Sequence, residues 1–328
     1  MNTITTDLIQ INTLTNLHVG SGDANYGIVD KLVQRDPSTR FPVINGSSLK
    51  GAIKEYSEEV PDINAKILKY IFGSTKKKDT DNEYKGINPA LEDLSSKEKI
   101  SQKDKNQNGA FKFFTAQILT IPVRSNIKPF FYATCPFIIE EFKKSIKSFG
   151  IQPPLLNKYT VGLQVLLEHK FDENIDFYYF GNENRNFHIE EYDNKKQTPL
   201  IEVVPNNTNA VGEIPEVNPD NPETFITNLF GDINSFVYLR DDLFIEICEN
   251  LPVIARNKLE EPKNLWYEEV VPRGSKFYSF IIRPNDTDAS KINSTFMEQI
   301  VVETGKTPLQ IGANSSVGYG YCQITKIV

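Results

Sequence analysis

Apolar residues recur along the chain in two rhythms. Over residues 7–19, DLIQINTLTNLHV, aliphatic and polar positions partly alternate, which predicts a strand ending at the Gly-Ser-Gly of residues 20–22. Over NGSSLKGAIKEYSEEV, residues 45–60, the spacing changes: Leu49, Ala52, Ile53 and Tyr56 recur at helical intervals, and Ser47 or Ser48 is placed to cap the helix. Between these two elements, RDPSTRFPVI reads as a turn returning into a short extended segment. Apolar strand-like runs resume at AFKFFTAQILTIPVRS and FFYATCPFIIEEFKKS, and LQIGANSSVGYGYCQITKI reads as strand, Gly-rich turn and strand. Two stretches break the pattern. Residues 76–109 are almost wholly polar, with one short helix expected at NPALEDLSSKEK; residues 168–222 mix aromatics with Asn, Glu and Pro. The interleaving predicts one α+β domain over residues 1–328, with an insertion at about 76–109 and another at about 168–222.

The 328 residues suffice for a sizeable core. No apolar run approaches the ~18 residues a membrane span needs, and the first residues, MNTITTDLIQIN, lack the pattern of a secretion signal. The three cysteines, Cys135, Cys248 and Cys322, form no paired motif, so a cytoplasmic setting is expected. A net charge of −7 offers no global attraction to nucleic acid, though a local basic track would escape that argument.

Four features carry candidate chemistry. NGSSLKG places Gly46, Ser47, Ser48 and Lys50 at a helix start, where unpaired amides favour phosphate; Lys54 shares the polar face of Lys50. Plain helix capping is the commoner use of such residues. IGANSSVGYGYC offers turn-forming Gly312, Gly318 and Gly320 beside the donors Asn314, Ser315 and Ser316, a cradle for a sugar–phosphate chain or an ordinary β-turn. Asp30, after aliphatic residues in YGIVD, could act as a base or a metal ligand, or simply hydrogen-bond the following turn. Asp23 and Asp36 flank it. His18, before the Gly-Ser-Gly turn, could contact RNA or serve the fold. The apolar blocks around Arg256 and Trp266 read as core.

Taken in order, LHVGSG, GIVDKLVQRDPSTRFPVINGSSLKGAIK, GAFKFFTAQILTIPVRS, FFYATCPFIIEEF, LPVIARNKL, NLWYEEVVP and LQIGANSSVGYGYCQI resemble the RAMP backbone subunits of type III CRISPR effector complexes; NLWYEE and IPVRS point to the type III-B, or Cmr, branch. The resemblance implies a modified ferredoxin-like, RNA-recognition-motif-like RAMP fold with palm and projecting thumb. It implies copies stacked along a CRISPR guide RNA, with target RNA and the other subunits of the complex as partners and no membrane. It also implies an endoribonuclease cutting target RNA at regular intervals, with Asp30 as catalytic residue and ligand of a divalent ion, Mg or Mn. His18, Gly46, Ser47, Ser48, Lys50, Lys54, Gly312, Asn314, Ser315, Gly318 and Gly320 would bind RNA. Within residues 168–200, Phe177, Tyr178, Tyr179 and Phe180 are the thumb wedges this reading suggests. Asn45 and Lys31 stand where the family commonly has proline. A non-cleaving scaffold subunit is the alternative; a stand-alone guide-processing nuclease or an unrelated hydrolase lacks its residues in this sequence.

Overall fold

The computed structural model describes residues 4–22, 29–60, 63–73, 108–151, 163–164, 166–171, 175–179, 188–193, 227–258, 264–285 and 290–327. The expected helix at NPALEDLSSKEK lies outside them.

Its core is a mixed α+β arrangement around one large sheet. Strand β1 (Ile4–Thr13) lies between β12 (Lys276–Pro284) and β14 (Tyr321–Lys326), antiparallel to both. The sheet continues from β12 to β4 (Ala116–Val123), β5 (Phe131–Thr134), β9 (Phe236–Leu239) and β6 (Phe177–Tyr179), and on the other side from β14 to β13 (Leu309–Gln310). Only the β5–β9 contact is parallel among these pairings. Two short strands pair alongside, β2 (Val43–Ile44) on β4 and β3 (Lys112–Phe113) on β12. β1 is shorter at its end than the alternation predicts. The chain leaves the sheet after Thr13, and Leu17 and Gly20 make isolated bridges to Val271 and Val33 instead.

Alternate residues of a strand face opposite sides, and both sides are covered. Tyr278 of β12 meets Phe142 of α3 (Pro136–Ser148) edge to face at 4.7 Å between centroids. Arg283, on the other face of β12, reaches Ser294 of α5 (Ser290–Lys306). Helix α1 (Gly46–Glu59) buries Leu49, Ala52 and Ile53, as the period predicts, and packs with α2 (Ala65–Phe72), whose Phe72 meets Phe296 of α5. The run FFYATCPFIIEEFKKS, expected as strand, is strand only in its first part; Ile138, Ile139, Phe142 and Ile146 recur at helical spacing and are the buried face of α3. The strand stops at Thr134, and Pro136, lacking an N–H, starts a helix whose Phe137 amide is capped by Asp241 from α4 (Asp241–Glu249). All three cysteines are buried and free, and burial pushes the Cys322 thiol up to about 12.

Two hairpins stand outside the sheet: β7 (His188–Ile189) with β8 (Tyr192–Asp193), and β10 (Val253–Lys258) with β11 (Asn264–Glu269). These overturn two sequence expectations. Phe177, Tyr178 and Tyr179 are not projecting wedges. They form β6, at 0%, 5% and 3% exposure, because pairing with β9 places them in the core. Phe180 lies outside the described residues. Conversely, the blocks around Arg256 and Trp266 are not core throughout. They form the second hairpin, on which Val253, Leu265 and Tyr267 are exposed; only its base, Glu268 to Val271, is buried. Among the described residues no helix is long and apolar enough to cross a membrane.

Candidate nucleic-acid interface

Two segments distant in sequence meet at the base of the β10–β11 hairpin, and a third, the start of α1, is tied to the first through Gln34. The first is the stretch carrying Asp30. The amides of Asp30 and Lys31 both donate to the Tyr267 carbonyl, at 3.1 and 3.2 Å, and the Glu269 amide donates to the Lys31 carbonyl at 2.9 Å. The exposed Asp30 carboxylate accepts from the Tyr267 amide at 2.7 Å through Oδ2. This stretch therefore runs as a third strand-like line beside β11.

Glu268, with its side chain 1% exposed, is the hub of the junction. Its Oε1 accepts from Lys31 Nζ and from Trp266 Nε1, each at 2.8 Å. Its Oε2 accepts from Asn314 Nδ2 at 2.9 Å and lies 2.7 Å from Arg256 Nε, a charge pair without hydrogen-bond alignment. Burial pushes the Glu268 carboxyl up; the bonds from Lys31 and Trp266 and the charges of Lys31 and Arg256 outweigh it and hold the group below the usual carboxylate range. Lys31 Nζ also lies 5.2 Å from the Trp266 ring centre, and the Arg256 guanidinium 4.4 Å from that of Tyr319. Next to the hub, Glu269 pairs with Arg35 and accepts from the Val33 amide at 3.0 Å. Nothing in the sequence spacing marks Glu268. A buried acid at a hairpin base looks like any strand-end glutamate until its three donors and the Arg256 charge are brought together.

The second segment is the Gly-rich turn. Asn314 adopts a left-handed backbone at φ 67°, which aims its side chain at Glu268. Gly312 and Gly320 are required by close packing: a Cβ at Gly320 would lie 2.0 Å from the Ile311 carbonyl oxygen, and one at Gly312 would lie 2.4 Å from that of His18. Ser315, Ser316 and Gly318 are exposed. His18 is 2% exposed; its Nδ1 lies 2.7 Å from the Glu269 carbonyl oxygen, so Nδ1 carries the proton, and its own carbonyl accepts from Ala313. That places His18 beneath the surface, joining the hairpin base to the turn.

The third segment is the start of α1. Asn45, not a serine, occupies the N-cap and makes no side-chain cap bond. Ser48 Oγ is instead held by Gln34 Nε2 at 3.2 Å, and the same amide group reaches the Gly20 carbonyl. Gly46 also owes its identity to packing, since a Cβ there would lie 2.6 Å from the Phe113 carbonyl oxygen. Lys54 is exposed and 3.9 Å from Glu58; Lys50 is half-buried. Gln34 thus ties the helix start to the turn at Gly20, as Glu268 ties the Asp30 stretch to the Gly-rich turn. Asp36 does not join Asp30: its Oδ1 accepts from the Ser38 and Thr39 amides of its own turn. Asp23 lies outside the described residues. The chemistry assembled at the hairpin base is one exposed carboxylate next to Lys31, with Arg256 and the Trp266 and Tyr319 rings around Glu268; the helix start joins it through Gln34 and the turn at Gly20.

The model of the RAMP superfamily matches residues 10–323. The chain belongs to the RAMP superfamily. It is 27% identical, over 97% of its length and 94% of the relative's, to the CRISPR system Cmr endoribonuclease Cmr4 of Pyrococcus furiosus. Its fold is similar to those of two solved structures. One is the apo state of a type III-B Cmr-beta complex, at TM-score 0.68 and 17% identity over 98% of both chains. The other is oligomeric Cmr4 from Pyrococcus furiosus, at TM-score 0.62 and 21% identity over 100% of both chains.

Proposed function

We propose that this RAMP protein is a backbone subunit of a type III-B CRISPR effector complex, which binds guide RNA beside further copies of itself and cleaves complementary target RNA. The observation that carries this reading is the junction at Glu268, which gathers Asp30, the hairpin and the Gly-rich turn of a chain alignable along its length with a named Cmr endoribonuclease. In the ferredoxin-like terms of the family, the large sheet with its helices is the palm. The β10–β11 hairpin, with Leu265 and Tyr267 exposed, is the element suited to be the thumb.

Ser47, Ser48 and Lys50 at the α1 start and Ser315 and Gly318 of the Gly-rich turn would hold guide phosphates by amides, hydroxyls and charge. His18 and Gly320 would shape that surface from beneath, and Gly46, Gly312 and Asn314 would form part of it. In the cut, the 2′-oxygen of the target bonds to phosphorus as the phosphorus–O5′ bond breaks; the 2′ proton leaves to a base and the 5′ oxygen gains one. Asp30 would take the first proton or hold a divalent ion. Among the described residues no group of three His, Cys, Asp or Glu could hold a metal. Asp30 alone fits the mode in which Mg takes one carboxylate with phosphates and water. When bound, such an ion supplies charge for the developing phosphorane oxygens.

The non-cleaving scaffold draws on the Asp30–Tyr267 bond, a structural use of the same carboxylate. Asp30→Asn separates the two, because its amide oxygen can still accept that bond. Complex assembled with Asp30→Asn should bind target normally and cut it ~10²–10⁴-fold more slowly, and wild-type products should end in 2′,3′-cyclic phosphate. Cutting at the wild-type rate would leave the scaffold reading.

A further inference from the structure

Lys31 stands out at this junction. It follows Asp30 directly, and it is the one partner of Glu268 that comes from the Asp30 stretch. Its side chain is half exposed, but its ammonium is at hydrogen-bond distance from a carboxylate that is itself out of water, so solvent screens the pair from one side only. The ammonium also lies against the Trp266 ring. Main-chain bonds already align Asp30 and Lys31 with Tyr267 and Glu269. Further along, the Glu269 carboxylate holds the Val33 amide and Arg35; next to Asp30 itself, the side-chain anchor is Lys31 on Glu268.

We propose that Lys31 is a positioning residue for Asp30: its ion pair with Glu268 pins the Asp30 stretch to β11, so that the Asp30 carboxylate stays on the Tyr267 amide and moves with the hairpin. The inference rests on the reading of Asp30 as the cutting residue. Hairpin placement and carboxylate placement then become one event, and a target strand that seats the hairpin also sets the carboxylate. The arrangement makes Lys31 a clean probe. Without it, Glu268 keeps Trp266, Asn314 and the Arg256 charge, so the hub stays compensated. Removing Glu268 would instead strip Arg256, Trp266 and Asn314 of a shared partner and damage the fold.

The test is the full effector complex assembled with Lys31→Ala, Lys31→Arg or the wild-type subunit. Three readouts are needed: target affinity, single-turnover cleavage rate across pH, and hydrogen exchange at the Tyr267 amide. Lys31→Ala should leave target affinity unchanged, lower the cleavage rate about 10- to 100-fold as expected of a misplaced reacting group, keep the shape of the pH profile and speed exchange at Tyr267. Lys31→Arg should restore both rate and protection, since a guanidinium keeps the pair. Unchanged exchange would overturn the anchor. Faster exchange with a wild-type rate would overturn its effect on cutting. Loss of the alkaline limb of the pH profile alone would make Lys31 a proton donor and overturn the positioning role. If Asp30→Asn complex also cuts normally, the cleavage reading itself is at fault, and exchange at Tyr267 still decides whether Lys31 anchors the stretch.

Discussion

At the scale of the residue, several identities have packing reasons that the sequence motif does not show. Gly46, Gly312 and Gly320 read as places for a phosphate to approach; each also lies against a carbonyl oxygen of its own chain that any Cβ would strike. Ser48 reads as a cap and is a partner of Gln34. Nothing in the sequence singles out Lys276, yet its environment is unusual. It opens β12 between Asn12 and Thr120, with its ammonium 5.5 Å from the Tyr132 ring centre, and burial pulls its pKa down to about 8. An unfolded lysine titrates near 10.4. Between about pH 8 and 10 the unfolded chain therefore holds a proton that the folded chain has released, so stability rises with pH across that window. Below it both states are charged and the native state bears the whole cost. Lys276→Met should raise stability at pH 7 by roughly 1–3 kcal/mol and abolish the rise between pH 8 and 10, as read by urea unfolding at pH 7 and 9.5.

At the scale of the element, period and punctuation succeed where one face of a segment is buried locally. α1 shows Leu49, Ala52 and Ile53 inward as spaced, and the C-terminal strand, Gly-rich turn and strand appear in order. They fail where partners come from far along the chain. FYAT and PFIIEEF are adjoining apolar runs; Pro136 starts the second as a helix, and the distant Asp241 caps its Phe137 amide. Phe177–Tyr179 sits in a polar neighbourhood and is drawn into the sheet by β9, some sixty residues on. The exposed face of α1 offers a test at this scale. Lys50→Ala with Lys54→Ala should weaken assembly on guide RNA without unfolding α1, because neither side chain is in the core. The slope of log affinity against log salt should become shallower, by about 0.7 for each single-strand phosphate that is no longer neutralised. An unchanged slope in a filter-binding salt series would remove both lysines from the guide-binding surface.

At the scale of the whole molecule, the sheet is closed by long-range partners that no local pattern announces. Asp7 of β1 is 1% exposed and accepts from Arg283 Nε at 2.5 Å and from Lys326 Nζ at 2.8 Å, joining β1, β12 and β14 near the two chain ends. Asp7→Ala would leave the buried Arg283 guanidinium without its carboxylate, and should cost about 3–5 kcal/mol in urea unfolding of the isolated subunit; Asp7→Asn, which keeps an acceptor, should cost less. Asp30 and the Gly-rich turn have the same dependence on distance. The sequence by itself determined the class of the body, the α1 start, the Gly-rich turn and the ordered blocks that mark the family, because each is written in neighbouring residues. The tertiary structure alone decided that Glu268 would join Lys31, Trp266 and Asn314, that His18 would lie beneath the surface, and that the aromatic run at Phe177 would be a sheet strand while residues 253–269 form a hairpin outside the sheet. The reason is physical: strand pairing and buried charge are settled by partners far apart along the chain, whose meeting depends on the fold of everything between them.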